Sequence, residues 1–265
     1  MGEPPGHAFT AVDEQDDPGA WIEVLDRVRR EPAYAAYKGR LAELLLPVQG
    51  RRYLELGAGT GADALELEER FEVRVTGVDA SSAMVEEARR RGLGDVRVAT
   101  AEALPFEDRS FDGCWADRVF QHVAEPEAAI AEMLRVTRPG GRLVVADPDY
   151  DTQVVDVADQ ELARKVLRFR ADHLLRHGTL AHRMGGVLTR AGLSDVVVEV
   201  VPVVLRDPTS LDNAMGLRTW ARVAHERGLL EEQEAERWER SIDDAVAGGH
   251  FLYAFSVFLT AGRAP

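Results

Sequence analysis

The segment Tyr53-Leu54-Glu55-Leu56-Gly57-Ala58-Gly59-Thr60-Gly61 runs an apolar stretch into a glycine-rich turn and places a carboxylate two residues before the first glycine. Tyr53 to Leu56 reads as a short buried strand. The glycines permit a tight turn that a ligand can approach closely, and Ala62 to Arg70 carries helical periodicity. The unit is strand, loop, helix.

Gly57, Gly59 and Ala62 also satisfy the G-x-G-x-x-G/A spacing of a dinucleotide site, in which a pyrophosphate sits on the helix N-terminus. The Glu55 carboxylate would oppose that anion. S-adenosylmethionine instead brings an ammonium and a sulfonium, and a fixed carboxylate with loop backbone groups attracts both. The sign of the charge favours the sulfonium cofactor over a nicotinamide dinucleotide. A glycine turn that merely packs strand on helix is the competing reading, and the segments that follow argue against it.

Arg74 to Asp79 (RVTGVD) reads as a second strand ending in an acid, where a doubly wound fold needs an acceptor for ribose hydroxyls. Val96 to Thr100 reads as a third strand. It leads into Ala101-Glu102-Ala103-Leu104-Pro105, where apolar groups can flank an adenine and Glu102 can accept from its exocyclic amine. Ser110 to Asp117 (SFDGCWAD) reads as a fourth strand, and Arg138-Pro139-Gly140-Gly141 turns the chain into a fifth, Arg142 to Asp147.

The motifs LELGAGTG, VTGVDASSAMVEEAR, ATAEALPFEDRSFD and RVTRPGGRLVVAD, spread over Arg51 to Asp147, together resemble the class I S-adenosylmethionine-dependent methyltransferases, in the branch of quinone and natural-product enzymes. The resemblance implies a Rossmann-like doubly wound α/β sheet of seven strands in the order 3-2-1-4-5-7-6, with the last strand antiparallel. It also implies that Glu55, Gly57, Ala58, Gly59 and Gly61 line the methionine part of S-adenosylmethionine and that Asp79, with Ala80, takes the ribose. Met84 and the turn Ala101-Glu102-Ala103 would enclose the adenine, and Asp117 and Arg118 are further cofactor-binding candidates.

The 265 residues suffice for one sizeable α/β core, and a single domain is expected. A formal charge of -14 opposes attraction to a phosphate backbone, so a small-molecule acceptor is expected rather than nucleic acid. No long apolar run or signal-peptide pattern occurs, and Gly6 stands where a myristoylation motif wants Ser or Thr. These features predict a cytoplasmic enzyme without a membrane span. The lone Cys114, beside Trp115, reads as a packed core thiol.

Residues 1–20, rich in Gly, Pro and acids, read as a mobile arm, and 21–50 as two cap helices broken near Pro32. In the resembling family such helices fold over cofactor and substrate. That would bring Tyr34 and Tyr37 to the substrate and Lys38 to the cofactor carboxylate; ordinary core tyrosines and a solvated lysine are the alternative. Asp149 to His177 reads as charged and helical, and Leu180 to Ala191 as a helix stopped by Gly192. Val196 to Leu205 reads as an edge strand because Pro202 cannot donate to a ladder. Phe251 to Thr260 reads as the seventh strand. The helical stretches Ser210 to Arg227 and Glu231 to Val246 form a connection longer than a hairpin needs, which suggests a lid over about 208–247.

His122 follows the fourth strand at the edge where open α/β sheets bind their ligands. Two readings are open for it: a base that takes an acceptor proton, or a side chain that packs or caps the next helix. Arg118 can pair with an acidic substrate group or with the cofactor carboxylate. Tyr150, Arg170 and His173 are substrate-wall candidates. His173 and His177 are four apart, yet Leu174 breaks the H-E-x-x-H pattern and no metal is expected. The reading is methyl transfer to an oxygen, nitrogen or carbon of a small molecule. The alternative is a cofactor-binding relative that acts as a cyclase or scaffold without transferring methyl.

Overall fold

A computed structural model describes Asp13, residues 18–207 and residues 216–265. Nearly all of the expected arm and the start of the expected lid helix at Ser210 lie outside the described residues. Two helices precede the sheet, α1 (Pro18–Arg30) and α2 (Pro32–Leu45), separated at Glu31 by the proline that opens α2. There follow β1 (Arg52–Leu56), α3 (Ala62–Phe71), β2 (Arg74–Asp79), α4 (Ser82–Arg91), β3 (Asp95–Val98), β4 (Phe111–Asp117), α5 (Pro126–Val136) and β5 (Thr137–Val155). The second half holds α6 (Gln160–Phe169), α7 (Met184–Arg190), β6 (Ser194–Leu205), α8 (Thr219–Glu226), α9 (Glu232–Ala247) and β7 (Tyr253–Arg263).

The seven strands form one sheet in the order β3-β2-β1-β4-β5-β7-β6, as the resemblance implied. β7 runs antiparallel to both of its neighbours. The period-two alternation of β1 sorts its side chains between two cores. Tyr53 joins Trp115, Val144 and Ala146 under α2 and α3, whereas Leu54 and Leu56 join Cys114, Leu143 and Val145 under α5 and α7. Cys114 is fully buried, its thiol pushed up to about 12 by burial, as befits a packed core residue.

The structure corrects the reading of Asp149 to His177. β5 does not end at Asp147 but continues to Val155, because β7 offers a partner as far as Tyr253 after a register shift between Asp149 and Val154. Asp149 and Tyr150 are therefore strand residues, and only α6 and a π-helical turn, Arg170–Leu174, are helical in that stretch. Pro202 does lie in the edge strand β6, and Gly192 follows α7 at φ 92°. No helix among the described residues is long and apolar enough to cross a membrane.

Candidate active site

The turn after β1 is built from left-handed glycines: Gly57, Gly59 and Gly61 have φ of 64°, 52° and 76°. At Gly57 a Cβ would also lie 2.4 Å from Val119 Cγ2, so this glycine allows the loop after β4 to close over the turn. Asp79 ties the turn to β2: its Oδ2 accepts from Gly59 N at 2.8 Å and its Oδ1 from Ser81 N at 2.9 Å. Burial pushes the Asp79 carboxyl up, against the pull of those backbone donors. Each oxygen keeps a further lone pair for a hydroxyl.

Glu55 is 3% exposed. Its Oε1 accepts from Trp115 Nε1 at 3.1 Å, and its Oε2 has no partner among the described residues. Burial, reinforced by the nearby Asp63 charge, raises its pKa well above the ordinary range, with Lys38 acting the other way. Asp63, in the first turn of α3, is held low: burial would raise it, but the charge and hydrogen bond of Lys38 and the charge of Arg29 prevail. Lys38 Nζ is paired with Asp63 and lies 2.8 Å from Asp117 Oδ2, which also accepts from Tyr37 OH at 3.2 Å. The expected partner of the cofactor carboxylate is thus committed to two acids of the chain. Lys38, Asp63, Trp115 and Asp117 also line an opening between α2 and α3.

Arg118 lies beside this cluster at φ 57°, with its N bonded to Ala146 O at 2.7 Å. At the opposite end, Met84 is buried and Ala80 exposed, and the turn Ala101 to Ala103 is half open. Glu102 Oε1 accepts from Ala124 N at 2.8 Å and Glu125 N at 3.4 Å, so one of its oxygens already serves the start of α5.

The substrate-wall candidates Tyr34, Tyr37, Tyr150 and Arg170 come together in the core under α2. The Arg170 guanidinium lies 3.8 Å from the Tyr150 ring centre and 4.3 Å from that of Trp220, and its Nη1 donates to Gln153 Oε1 and Tyr253 OH. His173 is exposed, its ring against Phe169. It does not join this group. His122 is half-buried, its N bonded to Val119 O at 2.8 Å. His177 N donates to Gln121 O at 3.1 Å, which brings a second histidine onto the loop after β4; His177 Nε2 and Gln121 Oε1 are buried without partners. Asp147 accepts from Phe120 N and Gln121 N and shapes that loop; burial holds its carboxyl well above the ordinary range.

His173 and His177 do not form a metal-ligating group, whereas Asp149, Asp151 and His182 bring ligand atoms within 4.8 Å of one another. There His182 Nδ1 lies 2.6 Å from the buried Asp149 Oδ2, and Asp151 pairs with Arg168. Sequence reasoning passed over Trp115, Asp63, Gln121 and His182. Only Asp63 carried a usable signal, an acid in the first turn of a helix.

Of the seven buried side-chain polar atoms without a partner among the described residues, six belong to Tyr34, Glu55, Asp117, Arg118, Gln121 and His177. Buried polar groups are normally satisfied, and these gather at the C-terminal ends of β1 and β4 or on segments that lean on them. Two of them, the carboxylate oxygens Glu55 Oε2 and Asp117 Oδ1, have the chemistry to accept from the ammonium of S-adenosylmethionine.

The family model described as methyltransferase domain matches residues 54–145. An uncharacterized 37.1 kDa protein in transposon TN4556 of Streptomyces fradiae is 34% identical over 249 residues, covering 92% of this chain and 71% of that protein. The O-methyltransferase cnsE of Penicillium expansum is 39% identical over 110 residues, 39% of this chain and 40% of the relative, so the chain spans less than half of that named enzyme. The solved structure of the [4+2]-cyclase SpnF superposes with a TM-score of 0.54 at 26% identity, covering 86% of this chain and 80% of that one. With these similarities and its sheet order, the chain belongs to the class I S-adenosylmethionine-dependent methyltransferases.

Proposed function

We propose that this chain binds S-adenosylmethionine across the C-terminal ends of β1, β2 and β4 and directs its methyl group to a small-molecule acceptor held beneath α2, with α8 and α9 as part of a lid. The observation that carries this reading is the pair of buried, unpartnered acceptors Glu55 Oε2 and Asp117 Oδ1 on adjacent paired strands. An ammonium donor satisfies both, and its charge favours the ionised form of Glu55. In this reading the remaining lone pairs of Asp79 accept from ribose hydroxyls, and Met84 with Ala101 to Ala103 flanks the adenine. Bound there, the sulfonium supplies an already activated methyl group. The chain's own task is then placement of the acceptor and exclusion of water. The net charge of -14 supports a small acceptor over nucleic acid.

Calorimetric titration with S-adenosylmethionine, S-adenosylhomocysteine and a nicotinamide dinucleotide tests the reading. Micromolar binding of the two sulfur compounds alone is expected; binding of the dinucleotide alone would reverse it. The SpnF likeness favours one second reading, a cofactor-binding cyclase. Formation of S-adenosylhomocysteine in the presence of acceptors separates the two.

A further inference from the structure

Arg118 is a non-glycine residue in the left-handed region, at φ 57°. Such strain, when a main-chain bond as short as 2.7 Å to Ala146 O maintains it, points a side chain where the regular strand would not. Its Nε is buried and has no hydrogen-bond partner among the described residues. The carboxylate beside it, Asp117 Oδ2, is 3.9 Å away and already serves Lys38 and Tyr37. Burial opposes its charge, but the surrounding acidic groups keep the guanidinium ionised.

The guanidinium carbon lies 5.4 Å from the ring centre of Tyr34, a residue 1% exposed whose hydroxyl also lacks a hydrogen-bond partner among the described residues. Two unsatisfied buried donors, one of them cationic, therefore sit against each other beside the methionine end of the site. Behind Tyr34 the rings continue through Phe255, 6.5 Å from Tyr34, to Tyr150, 5.9 Å further on. These rings are buried together in the core, and an aromatic acceptor held at Arg118 would add one more ring to the cluster.

We propose that Arg118 and Tyr34 form an oxyanion-binding pair for the methyl acceptor, and that the acceptor is an aromatic or enolic compound with an acidic hydroxyl. This deepens the function proposed above and rests on it. The hydroxyl gives its proton to solvent on binding, and the resulting anion takes hydrogen bonds from Arg118 and Tyr34. An oxygen lone pair then forms the new carbon–oxygen bond as the carbon–sulfur bond breaks, and that electron pair stays on sulfur. The anion and the sulfonium both become neutral. No side-chain base is needed for an acceptor of this class.

The test uses the whole chain saturated with S-adenosylhomocysteine and 4-nitrophenol as the probe, below the pH at which the free phenol ionises. Uptake is read from the colour of the phenolate, with 4-nitrotoluene as a neutral control. The wild type is expected to bind the probe and to generate the phenolate colour. Arg118→Gln should weaken phenolate binding about tenfold or more, and Tyr34→Phe by less, while both retain S-adenosylhomocysteine affinity. No binding of the phenol by the loaded wild type, or equal binding of nitrotoluene without colour, overturns the proposal. So does an Arg118→Gln variant that loses S-adenosylhomocysteine but keeps the phenolate signal, which would assign Arg118 to the cofactor carboxylate. Failure of the wild type to bind S-adenosylhomocysteine would instead reject the cofactor site itself, and this proposal with it.

Discussion

Trp115 Nε1 donates to Glu55 Oε1 at 3.1 Å across the β1–β4 pair, where the two residues stand opposite each other, and so fixes a buried carboxyl whose other oxygen has no partner. A carboxyl held on one side and open on the other is prepared for a single cationic donor. Glu55→Gln keeps the shape but removes the charge. Affinity for S-adenosylmethionine should fall by roughly 10- to 100-fold, the worth of a hydrogen bond to a charged group, while the free protein melts no earlier than the wild type. Calorimetry and a thermal melt check both halves. Unchanged affinity would remove Glu55 from the cofactor site.

The same burial makes cofactor binding a proton-linked event. In the free chain Glu55 is raised well above its ordinary value, chiefly by burial. Between the unfolded pKa of about 4.3 and the raised folded one, the native state holds a proton that the unfolded state has lost, so stability falls as pH rises through this window. Asp63, held low, acts at the acid end: its contribution is present above the unfolded pKa and is lost as pH falls through the folded one. A cationic cofactor favours ionised Glu55 and expels its proton. The binding enthalpy of S-adenosylmethionine should therefore differ between phosphate and Tris in proportion to their ionisation heats, and Glu55→Gln should abolish the difference. Identical enthalpies in the two buffers for the wild type would show that no proton leaves.

Lys38 bridges Asp63 on α3 and Asp117 on β4, so one ammonium, beside the Tyr37 hydroxyl, ties the cap helix α2 to both elements. Lys38→Met leaves two acids of a partly buried cluster without their shared cation. Since Asp63 keeps about a third of its side-chain exposure, the cost is set below that of a fully buried pair, at about 2–3 kcal/mol. Asp63→Asn in the same background should return part of it. Urea denaturation of the four proteins in the cycle measures the coupling, and strict additivity would mean that Lys38 does not balance Asp63.

The glycine turn, Glu55 and Asp79 were legible because their chemistry lies in a few contiguous residues, and the sheet order followed from motifs in a recognisable succession. The partners of those residues were not. Trp115 reaches Glu55 across a separation of 60 residues, and Lys38 reaches Asp63 from a different helix, contacts that only strand register and helix docking create. The stretch after Asp147 misled for a related reason: its charged, helical pattern is local, whereas the extension of β5 depends on β7, about a hundred residues away. The conformation of Arg118 has no sequence signal at all, since an arginine there carries no propensity for positive φ.

Gly57 and Gly50 separate backbone strain from closure of the site. Both have positive φ, 64° and 76°, but a Cβ on Gly50 meets nothing within 4 Å, whereas one on Gly57 would lie 2.4 Å from Val119 Cγ2. Gly50→Ala should cost only the left-handed penalty, about 1–2 kcal/mol, and leave cofactor affinity unchanged. Gly57→Ala adds overpacking of roughly 1–3 kcal/mol and forces the loop after β4 away from the turn, so affinity for S-adenosylmethionine should fall as well. Adding Val119→Ala deletes the clashing methyl but not the φ strain, and should restore affinity more fully than stability. If Val119→Ala restores neither, the loss in Gly57→Ala comes from the backbone of the turn alone, and contact between the two loops does not govern the site.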